Sequence, residues 1–114
     1  MPYKTLDNEK LPIHVKRQIF ALCGDFKRRQ KELERAKRRP EVLCEYRRLN
    51  DAILDAVNEA CPYDSDEVKM KMIEALGEIR GYNWSPLCTL MSAAAFYRRK
   101  QLIIYAVAKR MDMI

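Results

Sequence analysis

Apolar residues in the first half of the chain recur at intervals of three and four positions, the spacing of one face of an α-helix. Between residues 12 and 38 the apolar stripe consists of Val15, Ile19, Leu22, Phe26, Leu33 and Ala36. Between residues 40 and 60 it consists of Val42, Tyr46, Leu49, Ile53, Ala56 and Ala60. The two heptad-like seams predict an antiparallel helical hairpin over residues 12–61 with left-handed coiled-coil packing.

The boundaries of this hairpin are indicated by prolines. Pro12 suits the first turn of the first helix, and Pro40 predicts that this helix ends near Arg38. Arg29 occupies a seam position, so its side chain must snorkel or find a partner. Apolar positions beyond the seams, among them Leu43 and Leu54, predict that the hairpin packs on the C-terminal helices, on a second subunit, or on both. We therefore expect self-association through residues 12–60 and a homo-oligomer.

The second half of the chain predicts three more helices. Asp64 can cap a third helix from about residue 65 to 80, which Gly81 would close as a C-terminal cap. Pro86 can open a short fourth helix. Ser92 is a candidate N-cap for a final helix from residue 93 to about 111. About five helices without strand signals predict an all-α fold, with 1–114 as a single domain.

Composition narrows the class of protein. A chain of 114 residues fits one domain. No apolar run approaches the ~18 residues of a membrane span, and the opening segment lacks the apolar core of a signal peptide. We therefore expect a soluble, cytoplasmic protein with no membrane partner.

The four cysteines (Cys23, Cys44, Cys61, Cys88) contain no C-x-x-C pair, and His14 is the single histidine. These spacings favour buried, reduced thiols over a metal site or a disulfide framework.

No pattern of catalytic residues accompanies this composition. His14 has no serine or cysteine nucleophile motif around it, no paired carboxylates occupy a defined turn, and no glycine-rich phosphate loop is present. We expect a protein that is not an enzyme and that uses no cofactor.

The net charge of +6 is unevenly distributed. Residues 16–50 sum to +7, residues 51–92 to −5 and residues 93–114 to +4. Two basic blocks flanking an acidic one are typical of a protein with an anionic partner, although a charged hairpin surface also serves solubility. The candidate phosphate contacts in the first block are Lys27, Arg28, Arg29, Lys31, Arg38 and Arg39.

Residues 64–114 have the layout of a helix-turn-helix, in which the first turns of the last helix enter the major groove of double-stranded DNA. With Phe96 and Ile103 facing inward, Ala93, Ala94, Tyr97, Arg98 and Gln101 face outward. The alanines are small enough to touch thymine methyl groups, and Arg98 and Gln101 suit guanine and adenine edges. Arg99 and Lys100 flank this face near phosphates. We expect Trp84 and Phe96 to be buried and to hold the short helix against the final one.

At these residues the sequence resembles the RinA-type phage transcriptional regulators, whose C-terminal helix-turn-helix is similar to region 4 of sigma factors. The matching features are Trp84, the run from Ser92 to Arg98, the ending IIYAVAKRMDMI and the opening LPIHVKRQIFALCGDFKRR. Trp84 and Ser92 are eight residues apart, about two fewer than is usual in such regulators. The resemblance implies a phage or prophage regulator of late-gene transcription that binds DNA near a promoter and contacts RNA polymerase.

A second hypothesis assigns the protein to a different class. A small helical protein-interaction module, such as a phage-encoded inhibitor or adaptor of a host nucleic-acid enzyme, would use the hairpin as a docking surface. A third interpretation of the C-terminal segment is a plain terminal helix packed in a bundle, with Trp84 and Phe96 as core aromatics and Arg98, Arg99 and Lys100 as a solvated edge.

Overall fold

The computed structural model describes residues 11–79 and 81–114, and within them every regular element is helical. The five α-helices are α1 (Ile13–Gly24), α2 (Phe26–Arg35), α3 (Pro40–Ala60), α4 (Asp66–Glu78) and α5 (Ala93–Arg110). Two single turns of 3₁₀-helix, Tyr82–Trp84 and Pro86–Thr89, connect α4 to α5. The predicted all-α fold is confirmed. The opening segment considered for a signal peptide lies mostly outside the described residues.

The long first helix predicted over residues 12–38 is wrong, because the chain breaks at Asp25. Asp25 has φ −94° and ψ 2°, which ends α1 and starts α2 in a new direction. Helix α1 packs mainly on α4 and α5. Of the two helices that replace the predicted first helix, only α2 forms the hairpin with α3. The hairpin is therefore shorter than the predicted range of 12–61. Helix α2 also ends before Arg38, since Ala36 adopts a left-handed conformation with φ 53°.

A buried polar cluster stabilises this break. Arg29 is 2% exposed and donates from Nε to the Asn50 side-chain oxygen at 2.7 Å. Its guanidinium also donates to the backbone carbonyl of Leu22, and the Asn50 amide donates to the carbonyl of Phe26 at 3.2 Å. Buried backbone carbonyls need partners, and those near a helix end lack intrahelical ones. Arg29 thus donates a hydrogen bond to a backbone carbonyl where α1 ends. Its side chain has polar partners, as its position in the apolar seam required.

The core lies between the second half of α3 and helices α1, α4 and α5. Its largest fully buried side chains are Phe26, Phe96, Ile19, Ile53, Met72, Ile73, Leu76, Leu87, Ile103, Val57 and Val107. Residues 30–49 contribute no buried side chain. The distal part of the α2–α3 hairpin therefore projects beyond the core.

The ends of the C-terminal helices differ from expectation in three places. Ser65, not Asp64, caps α4 by accepting a hydrogen bond from the amide of Val68 at 3.2 Å. Helix α4 ends at Glu78 with Ile79 in the left-handed region at φ 55°, so the predicted cap at Gly81 is wrong. The predicted short helix at Pro86 is only a 3₁₀ turn. The capping of α5 by Ser92 is confirmed, with its hydroxyl accepting from the amide of Ala95 at 3.2 Å.

Candidate nucleic-acid interface

The exposed face of α5 matches the positions derived from the sequence. Ala93, Ala94, Tyr97, Arg98 and Gln101 are all exposed. The second half of the helix is mostly buried, with Ile103, Ile104, Ala106, Val107 and Ala108 in the core. The first two turns of α5 are therefore accessible to a ligand, while the remainder fixes their direction.

The two cations expected to flank this face at phosphates both have partners within the protein. Arg99 forms a bidentate ion pair with Asp64, donating from Nε at 2.7 Å and from a terminal nitrogen at 3.0 Å. The two side chains are 22% and 16% exposed. The hydrogen bonds from Arg99 hold the pKa of Asp64 below its ordinary value, and the pKa of Arg99 is raised in turn. Lys100 is half-buried, with its ammonium 5.7 Å from the ring centroid of Phe20.

The Asp64–Arg99 pair predicts a pH-dependent stability. The unfolded aspartate has a pKa of about 3.9, and the folded pKa is lower. The pair's contribution is therefore complete above about pH 4 and declines as the pH falls through the folded pKa of Asp64. Asp64→Asn should lower the free energy of unfolding at neutral pH by about 1.5–3 kcal/mol, as for hydrogen bonds between charged groups. The variant should also lose less of its free energy of unfolding than the parent as the pH falls below 4.

Urea unfolding at a series of pH values measures both effects. The control is Asp55→Asn, which changes an exposed carboxylate that makes no ion pair among the described residues. An Asp64→Asn variant that keeps the parent's acid profile would show that the pair is not formed in solution.

The packing that holds α5 uses a different aromatic residue from the one expected. Trp84 is 78% exposed, so the prediction that it is buried is wrong. Phe96 is fully buried, as predicted, and its ring centroid lies 5.7 Å from that of Tyr82. The Tyr82 hydroxyl is 3.0 Å from the carbonyl of Cys88 and 2.6 Å from that of Met91. Tyr82 therefore connects the two 3₁₀ turns to α5, while Trp84 remains at the surface.

The α2–α3 hairpin carries the net positive charge of the protein. We define the basic hairpin tip as residues 27–48. This range holds ten of the 22 Lys and Arg residues and four of the 16 Asp and Glu residues. Its net charge of +6 equals that of the whole chain, so the remaining residues together are neutral. This concentration of charge makes the tip the strongest candidate for binding an anion.

Several cations of the tip are free to meet a ligand. Five of them are exposed and make no ion pair or hydrogen bond from their side chains within the described chain: Lys31, Arg35, Lys37, Arg39 and Arg47. Of the candidate phosphate contacts, Lys31 and Arg39 are in this group. Arg35, Lys37 and Arg47 were not among the candidates, although all three lie in or beside the basic block that the sequence indicated.

The other candidate phosphate contacts have partners in the protein. Arg29 is buried, so its assignment as a phosphate contact is wrong. Lys27 pairs with Glu74, and Arg38 with Glu32 at 2.9 Å. Arg28 donates to the hydroxyl of Tyr46 at 3.2 Å. Exposed ion pairs contribute little stability, so Lys27 and Arg38 could still exchange a carboxylate for a phosphate.

The tip and the exposed turns of α5 lie toward opposite ends of the molecule. Arg99, near the start of α5, contacts Asp64, just after the end of α3. Met111, after the end of α5, lines a groove together with Asp25 at the base of the hairpin. Helices α3 and α5 therefore run antiparallel, and the tip extends past the C-terminal end of α5. The longest dimension of the molecule is 45 Å.

Chemistry other than ion pairing is sparse in the described residues. Burial raises the pKa of Cys23 to about 12 and that of Cys61 to about 11, so both thiols stay protonated. Cys88 is half-buried and Cys44 is exposed, so the expectation that all four thiols are buried is wrong for Cys44. No group of three potential metal ligands is found in residues 11–79 and 81–114. None of the helices in these two ranges is long and apolar enough to cross a bilayer.

Comparison of the chain with protein-family models, with curated proteins and with solved structures finds no match. Function is therefore inferred from the geometry and charge of the chain itself.

Proposed function

We propose that the protein binds double-stranded DNA and that the basic hairpin tip makes the principal phosphate contacts. The observation that carries this proposal is the basic hairpin tip, residues 27–48, whose net charge of +6 equals that of the whole chain and whose projecting part holds five exposed, unpaired cations. Lysine and arginine contacts to phosphate supply most of the affinity of sequence-independent DNA binding. A projecting tip presents these cations without competition from the neutral remainder of the surface.

The arrangement of cations on the tip fits a linear polyanion. Lys31 and Arg35 are four residues apart on α2 and therefore lie on the same helix face, about 6 Å apart along the axis. Lys37 and Arg39 continue the series through the connection to α3. Such a row can follow successive phosphates along one strand. The resemblance to RinA-type regulators supports duplex DNA as the nucleic acid and transcriptional regulation, with RNA polymerase as a further partner, as the role.

Duplex binding across a salt series tests the tip directly. The variant Lys31→Gln with Arg35→Gln removes one lysine and one arginine from the tip. Its matched control, Lys109→Gln with Arg17→Gln, removes the same two charges from exposed positions outside it. We expect the tip variant to lower the slope of log K against log salt by about two and to bind roughly tenfold more weakly at 0.1 M salt. The control should change both quantities much less.

Two results would overturn this proposal. An unmutated protein with no affinity for any duplex at about 50 mM salt contradicts DNA binding itself. Equal losses in the tip variant and its control would mean that net charge alone is responsible.

The exposed turns of α5 can be tested in the same assay. Arg98 is accessible and of the residue type that pairs with guanine. If α5 reads bases, Arg98→Ala should cost about 1–3 kcal/mol at one base pair and relax the preference there. A uniform loss over all duplexes would instead assign Arg98 to phosphate, and no loss would exclude α5 from the DNA interface.

A protein-interaction module remains the second candidate function, because one observation favours it. Trp84, Ile79 and Leu90 are 78%, 64% and 55% exposed. All three lie within a stretch of twelve residues, and exposed apolar side chains, tryptophan above all, are typical of interaction surfaces.

A further inference from the structure

The connection between α4 and α5 differs in chemistry from the rest of the protein. We call residues 81–97 the neutral segment, because they include no Lys, Arg, His, Asp or Glu. The two 3₁₀ turns of this segment pack on each other and on α5. Seven large apolar side chains are exposed in the described residues, and three of them, Trp84, Leu90 and Tyr97, belong to this segment, with Ile79 just before it. The neutral segment is therefore the richest apolar surface in the described parts of the chain.

The charge distribution limits how two copies of the chain can approach each other. Two copies of the chain repel each other wherever their tips approach, since each tip carries a net charge of +6. The neutral segment leads into the start of α5, which lies away from the tip, and it follows the end of α4, where Gly77 lies against Gly24 and Glu74 pairs with Lys27 at the base of the hairpin. At 0.1 M salt, exposed charges are screened over about 10 Å. A contact between neutral segments therefore brings together side chains that carry no charge and leaves the far ends of the tips outside the interface.

The exposed aromatic area is also compatible with a dimer. An aromatic side chain contributes on the order of 150–250 Å² when buried, so Trp84 and Tyr97 alone expose roughly 300 Å² of surface. A stable interface buries about 800 Å² per partner. Ile79, Leu90 and the exposed alanines Ala93 and Ala94 lie beside these rings in the chain and can supply much of the remainder.

We propose that a second copy of this chain docks on the neutral segment, with Trp84 at the centre of a two-fold symmetric contact. Such an interface places the same patch of each subunit against itself, as most homodimers do. The two basic tips then point away from each other at the ends of the dimer. This interface replaces the hairpin surface of residues 12–60 that the sequence pattern indicated, because Leu54 and Val57 of that hairpin pack on the core of their own chain. The proposal does not depend on DNA binding.

The chain offers a direct optical probe, since Trp84 is its single tryptophan. Sedimentation equilibrium and tryptophan emission of the full chain, without nucleic acid, should be measured over the same concentration range. We expect dimers at micromolar concentration, together with a blue shift and reduced iodide quenching of Trp84 that follow the same dissociation constant. Because residues 81–97 themselves include no charged side chain, that constant should change less than threefold between 0.1 and 0.5 M salt.

Paired variants locate the interface. Leu90→Ser and Ile79→Ser keep the tryptophan probe and should each weaken the dimer at least tenfold. The matched controls, Ile13→Ser and Ile114→Ser, change side chains that are 60% and 55% exposed and lie outside the neutral segment, and they should leave the dimer intact. All four positions are exposed, and thermal melts verify that the variants fold.

Three outcomes would overturn the proposal: a monomer at high micromolar concentration, a dimer in which Trp84 emission does not change, or equal weakening by the controls. None of them bears on DNA binding, which the salt series on duplexes tests separately.

Discussion

Replacing Phe96 by alanine should lower the free energy of unfolding by about 3–5 kcal/mol, the usual effect of truncating a buried phenylalanine. The ring is fully buried at the junction of α5 with the 3₁₀ turns. Its centroid lies 5.7 Å from that of Tyr82 and 5.1 Å from that of Tyr97, in tilted and edge-on arrangements. Its removal leaves a cavity and also separates α5 from the turns that precede it. Chemical unfolding followed by far-ultraviolet circular dichroism measures the loss.

The control for this prediction is the neighbouring aromatic that the structure leaves exposed. Trp84→Ala should change the free energy of unfolding by less than about 1 kcal/mol, since exposed substitutions rarely have larger effects. Both variants should be measured at concentrations low enough to avoid association, which would stabilise the folded state by mass action. If the two variants are equally destabilised, Trp84 is buried in solution, and both its exposure and the proposed dimer surface are wrong.

The fold class could be predicted because helical periodicity is a local property of the sequence. The positions of α3 and α5 follow from their apolar spacing, from Pro40 in the first turn of α3 and from the N-cap Ser92 of α5. The break at Asp25 could not be predicted from that spacing, because Phe26 continues the apolar stripe across it. Gly24 and Asp25 together were the available sign of a break, since glycine and aspartate both disfavour a helix interior.

Long-range contacts account for most of what the sequence did not indicate. Arg99 and Asp64 are 35 positions apart, and their ion pair depends on how α5 crosses the end of α3. Arg29 looked like a surface cation within a basic run, yet it lies against Asn50, 21 positions away. A count of charges identified the basic region correctly. Which of its cations are free depended on tertiary structure.

The exposed face of α5 was predictable for the opposite reason. Once Phe96 and Ile103 are assigned to the core, helical geometry alone fixes which of their neighbours point outward. Trp84 had no such constraint, because the short 3₁₀ turn around it has no long periodic stripe. A large aromatic residue outside a regular helix was assigned to the core by its hydrophobicity, and the structure places it at the surface.

A close backbone contact between two helices predicts a second large effect on stability. Helices α1 and α4 cross at Gly24 and Gly77. A Cβ atom added at Gly77 would lie 2.6 Å from the Cα of Gly24, 2.7 Å from its nitrogen and 2.9 Å from the carbonyl carbon of Cys23. All three neighbours are backbone atoms, so the two helices must separate to admit a methyl group. We expect Gly77→Ala to lower the free energy of unfolding by about 1–3 kcal/mol or more, the usual effect of overpacking, despite the better helix propensity of alanine.

The reciprocal substitution is a control with the same chemistry. A Cβ atom at Gly24 would meet the carbonyl oxygen of Gly77 at 3.3 Å, and its next neighbours are 3.8 and 3.9 Å away. A shift of a few tenths of an ångström accommodates this contact, and alanine gains about 0.5–1 kcal/mol over glycine within a helix. Gly24→Ala should therefore change stability by less than about 1 kcal/mol.

Urea unfolding of both variants measures the two changes in stability. Amide hydrogen exchange should show faster opening of α1 in Gly77→Ala alone. A Gly77→Ala protein as stable as the parent would mean that α1 and α4 do not approach this closely in solution, and that α1 is held mainly by α5 and the Arg29–Asn50 cluster.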